Sequence, residues 1–299
     1  MNNLINKKLT IIVAGLLTAV LILLGVLLWP SSANGKLEVD FLDVGQGDAT
    51  LIKTPYGQKI LIDGGPDNKV VKEIGGNLSF FDRDIDLMIL THPHADHVTG
   101  LVEVLKRYNV KKILATGVSY NTSEYIAWLE EIQKKNIPFE AITGPLEINL
   151  GDNLNLKILY PLSDLVNQNV ANGNAPMALG KKLNNTSIVA KLVYNKTSFL
   201  FTGDIEEEVE QELLKQNVDL KADVLKVAHH GSDSSSTVDF IKAVMPWIAV
   251  IEAGKDNQFN LPDYRIVKRI QDKGAHIYRT DIDGEVKVFS DGFKVEVGE

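Results

Sequence analysis

The stretch Thr91-His92-Pro93-His94-Ala95-Asp96-His97 directly follows the apolar run Leu87-Met88-Ile89-Leu90 and holds three of the chain's six histidines. Such a segment restricts the fold, because side chains that share a cation must be held close together by a rigid frame. A buried strand ending in a turn provides one. It projects alternate side chains to one side, so that His92 and His94 reach one cation while Asp96 and His97 reach a second beside it. Imidazole and carboxylate are ligands that divalent zinc, manganese or iron accept. A solvated surface loop explains a single histidine but not three at this spacing around an aspartate.

Other apolar runs end in the same way. Leu200-Phe201-Thr202-Gly203-Asp204 closes on an acidic residue, and Val224-Leu225-Lys226-Val227-Ala228-His229-His230-Gly231-Ser232 closes on paired histidines. Ile60-Leu61-Ile62-Asp63-Gly64-Gly65 places an aspartate before two glycines, which lack a Cβ and let backbones approach closely. The chain has no cysteine, which excludes thiolate ligands, a disulfide framework and a cysteine nucleophile. A formal net charge of -8 argues against the broad basic surface that non-specific nucleic-acid binding requires, though not against a local groove.

At 299 residues with 44% apolar content the chain can bury a full core. Residues 9–29 form an almost uninterrupted apolar run after Lys7 and Lys8, about the 20 residues of a membrane-spanning helix. This predicts an uncleaved anchor and linker over 1–35, with one domain over 36–299 outside the cytoplasm. A cleaved signal peptide ending near Ser31-Ser32-Ala33 is the rival. Beyond the linker, Leu37, Val39 and Phe41 alternate with charged residues as in a half-buried strand, and residues 49–54 and 59–62 read as two more.

Leu101, Val104, Leu105 and Tyr108 recur at helical spacing, as do Tyr125, Trp128, Leu129 and Ile132 behind a Thr122-Ser123 cap. A hairpin is predicted around Asn195-Lys196, helices over 205–214, 238–244 and 264–270, and strands over 247–251 and 275–278. The polar stretch 163–183 reads as a long loop, placed to act as a lid. Strands in both halves with helices between them fit two packed sheets covered by helices.

These words, in this order, resemble the metallo-β-lactamase superfamily and, within it, the ComEC-type soluble domains of DNA-uptake proteins. Leu42-Asp43-Val44-Gly45-Gln46-Gly47-Asp48-Ala49, Asn184-Asn185-Thr186-Ser187 and Thr280-Asp281-Ile282-Asp283-Gly284 join the segments above in carrying the resemblance. It implies an α/β fold, a four-layer αββα sandwich with a centre for two divalent metal ions, zinc or manganese, at one edge. By position, His92 and His94 belong to the first ion, and Asp96, His97 and either His229 or His230 to the second. Asp204 matches the bridging carboxylate, which with Asp96 makes up the implied catalytic pair. Asp63 matches a carboxylate that orients the ligand loop, while Asp43 and Asp48 lie at the site edge or in turns.

Two departures stand out. No histidine lies between Val98 and Ala228, where many members supply another ligand to the first ion, so either Asn184, Asn185 or Ser187 helps through oxygen atoms or that site binds more weakly. ComEC-type domains also carry His-Pro where this chain reads Asn260-Leu261-Pro262. His276 reads as a packed or edge histidine.

Paired cations would activate a bridging water and neutralise phosphoester oxygens. The expectation is thus a membrane-anchored, extracytoplasmic hydrolase using a metal-bound hydroxide, a phosphodiesterase or nuclease acting on a phosphodiester polymer. Ser232 and Asn185 would contact that substrate. A phosphorylcholine or teichoic-acid esterase acting on the cell wall, or a binding module that has lost turnover, are the alternatives. A single apolar span cannot form a channel, and nothing in the sequence names a partner protein.

Overall fold

Period-two alternation and apolar runs bounded by turn residues generate two sheets, and helical periodicity generates the layers outside them. The computed structural model describes residues 7, 11–20, 35–165 and 183–298. In its first half the order is β1 (Leu37–Phe41), β2 (Thr50–Lys53), β3 (Lys59–Ile62), α1 (Lys69–Asn77), β4 (Asp84–Ile85), β5 (Leu87–Leu90), α2 (Ala95–Arg107), β6 (Asn109–Val110), β7 (Ile113–Ala115), α3 (Ser123–Lys135) and β8 (Phe139–Ala141). The second half runs β9 (Leu146–Gly151), β10 (Leu154–Tyr160), β11 (Val189–Tyr194), β12 (Thr197–Phe201), α4 (Glu207–Lys215), β13 (Val224–Lys226), α5 (Val238–Val244), β14 (Ile248–Ile251), α6 (Tyr264–Gln271), β15 (His276–Arg279), α7 (Thr280–Asp283), β16 (Val286–Ser290) and β17 (Val295–Val297).

Among the described residues one sheet has the order β17-β16-β1-β2-β3-β5-β7-β8 and the other β15-β14-β13-β12-β11-β10-β9, with β4 and β6 pairing apart. Their inner faces share one core, in which Val39, Phe41, Ile60 and Ile89 meet Leu156, Leu192, Phe201 and Val250. The opposite face of the first sheet buries Leu61 and Met88 against Ile74 of α1, Leu101 of α2 and Trp128 of α3. That of the second buries Leu200 and Leu225 against Leu213 of α4, Phe240 of α5 and Ile270 of α6. Each fully buried side chain of this size contributes about 1.5 to 3 kcal/mol. The result is the expected αββα layering, with the second half of the chain returning β16 and β17 to the first sheet.

Each sheet is parallel over one half, out to its edge: β3, β5, β7 and β8 in one, β12 through β15 in the other. Connections leaving the carboxyl ends of β3, β5, β12, β13 and β14 therefore converge on one edge of the sandwich. Asp63, His92, Asp204, His229 and Glu252 all lie just past such ends.

The expected transmembrane helix falls mostly outside the described residues. Residues 11–20 are helical with exposed side chains, and among the described residues no helix is long and apolar enough to cross a membrane. Most of the polar stretch read as a lid, from 166 to 182, also lies outside them.

Candidate metal centre

Local backbone chemistry aims the histidine segment. Pro93 favours an extended backbone at the residue before it, and His94 (φ -73°, ψ 152°) caps α2 in an extended conformation. Asp96 then sits in the first turn, where the helix dipole favours an anion. Glycine allows α2 to press onto the β3 turn: the Gly64 amide donates to the His97 carbonyl at 2.8 Å, and a Cβ on Gly100 would lie 1.8 Å from the Gly64 carbonyl oxygen. Asp63, itself left-handed at φ 58°, is thereby fixed below the histidines.

Asp96, His97, Asp204 and His230 each offer a ligand atom, all within 4.8 Å of one another. His97 Nε2 is 3.3 Å and His230 Nε2 3.5 Å from Asp204 Oδ2, while His230 Nε2 is 3.4 Å from Asp96 Oδ2. Zinc ligands at 2.0 to 2.1 Å in a tetrahedron are separated by about 3.3 to 3.5 Å, so this spacing fits one cation. The ring tautomers fit as well. His97 Nδ1–H donates to Asp63 Oδ2 at 2.8 Å, and His230 Nδ1–H donates to the Glu252 carbonyl at 2.8 Å, which leaves both Nε2 lone pairs facing inward. His97 Nε2, His230 Nε2 and Asp204 Oδ1 are buried without a hydrogen-bond partner. Buried polar atoms left without partners are costly, and a cation held with Asp204 Oδ2 satisfies both Nε2 atoms.

His92 Nε2 lies 2.9 Å from His94 Nδ1 and 4.0 Å from Asp204 Oδ2, so Asp204 is the member of the group of four that approaches this pair. His229 meets Asp204 from a different, more exposed direction than His230. Its Nε2 is 4.0 Å from Asp204 Oδ2 and 3.3 Å from Asn184 Nδ2, and its Nδ1 is 3.1 Å from Ser234 Oγ. The divergence comes from the backbone: His229 (φ 49°), His230 (φ 52°) and Gly231 (φ 77°) are all left-handed. Such conformations cost about 1 kcal/mol or more each at non-glycine residues and mark functional turns.

The Asn184-Asn185 pair divides its roles. Asn184 Oδ1 is buried without a partner beside the cluster, whereas Asn185 Oδ1 accepts from the Glu206 amide at 2.9 Å and its Nδ2 donates to Glu208 at 2.6 Å. The side chain expected at the substrate is thus engaged at the start of α4. Replacing Asn185 by alanine is expected to lower stability by about 1 kcal/mol, as loss of a helix cap does, with little change in turnover. Urea denaturation together with steady-state kinetics checks this. Ser187 Oγ accepts from the Asp204 amide at 3.0 Å and so holds the Asp204 turn. Ser232 Oγ is within 3.0 Å of Ser234 Oγ, half-buried at the rim.

Lys226 and Glu252, which the sequence reading left aside, lie beneath the cluster. Lys226 Nζ pairs with Asp48, donates to the Gly203 carbonyl at 3.2 Å and lies 3.8 Å from Asp204 Oδ1. Glu252 Oε1 accepts from the Ala49 amide at 3.0 Å, and burial with the neighbouring Asp48 pushes its carboxyl up to about 8. A lysine inside the apolar strand Val224-Leu225-Lys226-Val227 was the available signal for the first. An acid just past Ile251 was the signal for the second. His276 is exposed on edge strand β15, far from this group.

Protons compete for the same lone pairs. Burial opposes the charge on His97, but Asp204, Asp63 and Asp96 outweigh it and hold the ring well above its ordinary value. His230 is likewise pushed up to about 10, burial being overcome by Asp204 and Asp48. Burial, with His97 and His94 nearby, lowers His92 well below the usual range, so its ring is neutral. Below these raised values His97 and His230 carry protons that a cation must displace. Metal affinity is therefore expected to fall as pH falls from 8 to 6, roughly tenfold per unit for each proton released. Calorimetry in buffers of different ionisation enthalpy measures that release; pH-independent binding without proton release would contradict it.

A family model described as the metallo-beta-lactamase superfamily matches residues 42–251. ComE operon protein 3 of Bacillus subtilis (strain 168) is 29% identical over 277 residues, covering 84% of this chain and 32% of that protein. Competence protein ComA of Neisseria gonorrhoeae is 26% identical over 273 residues, covering 90% of this chain and 35% of that protein. The chain thus spans about a third of the length of these curated relatives. Igni18, a metallo hydrolase from the archaeon Ignicoccus hospitalis KIN4/I, superposes with a TM-score of 0.52 at 13% identity, covering 84% of this chain and 98% of that one.

Proposed function

Since this chain belongs to the metallo-beta-lactamase superfamily, and since its competence-related relatives align with most of its length, we propose that it is a metal-dependent phosphodiesterase or nuclease. In this reading it is anchored by residues 9–29, with its hydrolase domain outside the cytoplasm. The observation that carries the chemistry is the convergence of buried, unpartnered His97 Nε2 and His230 Nε2 on Asp204 Oδ2 at ligand spacing.

Asp96, His97, Asp204 and His230 would hold one divalent ion, zinc or manganese, and His92 and His94 a second with Asp204 between. Bound there, divalent cations supply Lewis acidity that activates water near neutral pH and neutralises phosphoester oxygens. The protein contributes rigidity and charge. Asp63 fixes the His97 ring through Nδ1, the Glu252 carbonyl fixes His230, and Lys226 balances the carboxylates of Asp48 and Asp204. His229, at the exposed side of the cluster, is placed to deliver a proton to a departing oxygen, and Ser232 to contact a phosphate oxygen. Without cations this carboxylate-rich edge would repel a polyanion, so metal also governs substrate binding.

The test is hydrolysis by the metal-loaded protein of DNA, RNA, bis-p-nitrophenyl phosphate, a phosphorylcholine ester and a lactam. The proposal expects turnover of the phosphodiesters that chelation abolishes. Turnover confined to the choline ester or the lactam would replace the substrate class, and bound metal without any turnover would make the chain a binding module.

A further inference from the structure

The pole of the sandwich opposite the metal cluster carries a cluster of exposed aromatic side chains. Thr197, Asp223, Trp247 and His276 mark the amino ends of β12 to β15, and with Phe293 and Val295 they line a cleft of about 420 Å³ between the two sheets. Trp247 and Phe293 are 67% and 68% exposed, and Met245, in the same loop as Trp247, is 63% exposed. Lys196 Nζ lies 5.6 Å over the Phe293 ring. Isolated exposed apolar residues are ordinary, but a cluster of large ones at one pole marks a contact surface.

The folded domain begins at this same pole. Leu37 opens β1 and pairs with Ser290, which pairs in turn with Val295 of the cleft. Ser290 Oγ is also 2.7 Å from Thr197 Oγ1 across the sheets. From Trp29, where the apolar run ends, to Leu37 is eight residues, which span at most about 28 Å when fully extended. A domain so tethered cannot carry this pole far from the surface that holds the run. Tryptophan and other amphipathic rings are favoured at the membrane–water interface, where lysines extend to the headgroups. Charge is nearly balanced here, since Lys36 and Lys294 both approach Glu296, so aromatic contact rather than anionic lipid would drive docking.

We infer that this pole rests in the lipid interface, with Trp247, Phe293 and Met245 in the headgroup layer and the metal cluster facing away from the membrane. The inference depends on the anchored reading proposed above. It orients the catalytic edge toward polymer arriving from outside rather than toward lipid.

The absence of native cysteine allows a direct test. Full-length Trp247→Cys, Phe293→Cys and Tyr264→Cys variants, each labelled with an environment-sensitive fluorophore, are mixed with phosphatidylcholine vesicles carrying nitroxide lipids. All three positions are exposed, so the core is untouched, and Tyr264 reports the metal pole because the Asp263 amide donates to the Gly231 carbonyl at 2.9 Å. Quenching at 247 and 293 is expected to exceed that at 264 by at least about twofold. Protein that floats with vesicles yet shows no such difference would overturn the orientation and leave the anchor standing. Disulfide-linked dimers of unlabelled Phe293→Cys, with no quenching of the labelled protein, would show a second copy covering the pole, and also overturn it. Failure to float would overturn both the anchor and the orientation.

Discussion

Asp204→Ala is expected to abolish phosphodiester hydrolysis while far-ultraviolet circular dichroism stays unchanged. Its Oδ2 lies 3.3 Å from His97 Nε2, 3.5 Å from His230 Nε2 and 4.0 Å from His92 Nε2, so one side chain joins both candidate sites. Losing a partner behind a ligand costs roughly 10- to 100-fold in affinity or activity, and loss of a shared ligand must exceed that. Strand β12 should persist, because Leu200 and Phe201 remain buried in the cores on its two faces. An Asp204→Ala protein with near wild-type turnover would remove the basis for the mechanism.

The adjacent histidines should separate cleanly. His230→Ala is expected to lose the tightly held ion and with it more than about 100-fold in kcat. His229→Ala should keep that ion and lose rate through proton delivery, so kcat falls with metal content unchanged. The distinction rests on geometry: His230 Nε2 is buried, unpartnered and 3.4 Å from Asp96, whereas His229 is partly exposed among Asn184 and Ser234. Elemental analysis of both variants, with kinetics on the same samples, decides between them. Loss of metal from His229→Ala alone would reverse the roles.

Much of the scaffold was legible because its periodicities are clean. The αββα layering follows from strands and amphipathic helices whose apolar faces are continuous. The capped helix after Thr122 forms as predicted, its Thr122 side chain accepting from the Tyr125 amide, and Asn195-Lys196 turns the β11–β12 hairpin. Strands β9 and β10 were passed over although Leu146, Ile148 and Leu150 alternate with polar residues, as do Leu154, Leu156 and Ile158. Helix α1 was missed because Lys69–Asn77 ends in two glycines and an asparagine, and only Val70 and Ile74 are buried.

At the site, the candidate ligands were visible as residue types at strand ends, but the choice between His229 and His230 was not. That choice depends on three successive left-handed residues and a hydrogen bond to the Glu252 carbonyl, which spacing does not encode. Similarly, only the fold reveals that Asn185 serves α4 while Asn184 faces the cluster. Lys226 escaped notice because a charged residue within an apolar strand reads as solvent-facing until both faces of that strand are seen to be covered.

Metal content measured by elemental analysis across a zinc or manganese titration, with phosphodiester turnover recorded on the same samples, tests the two-site centre most directly. Asp96, His97, Asp204 and His230 form a complete ligand set, while of His92 and His94 only His92 has a carboxylate, Asp204, within 4.0 Å among the described residues. The first equivalent should therefore bind tightly and the second more weakly, with turnover rising as the second fills. Two equally tight sites, or full turnover in metal-free protein, would contradict the account.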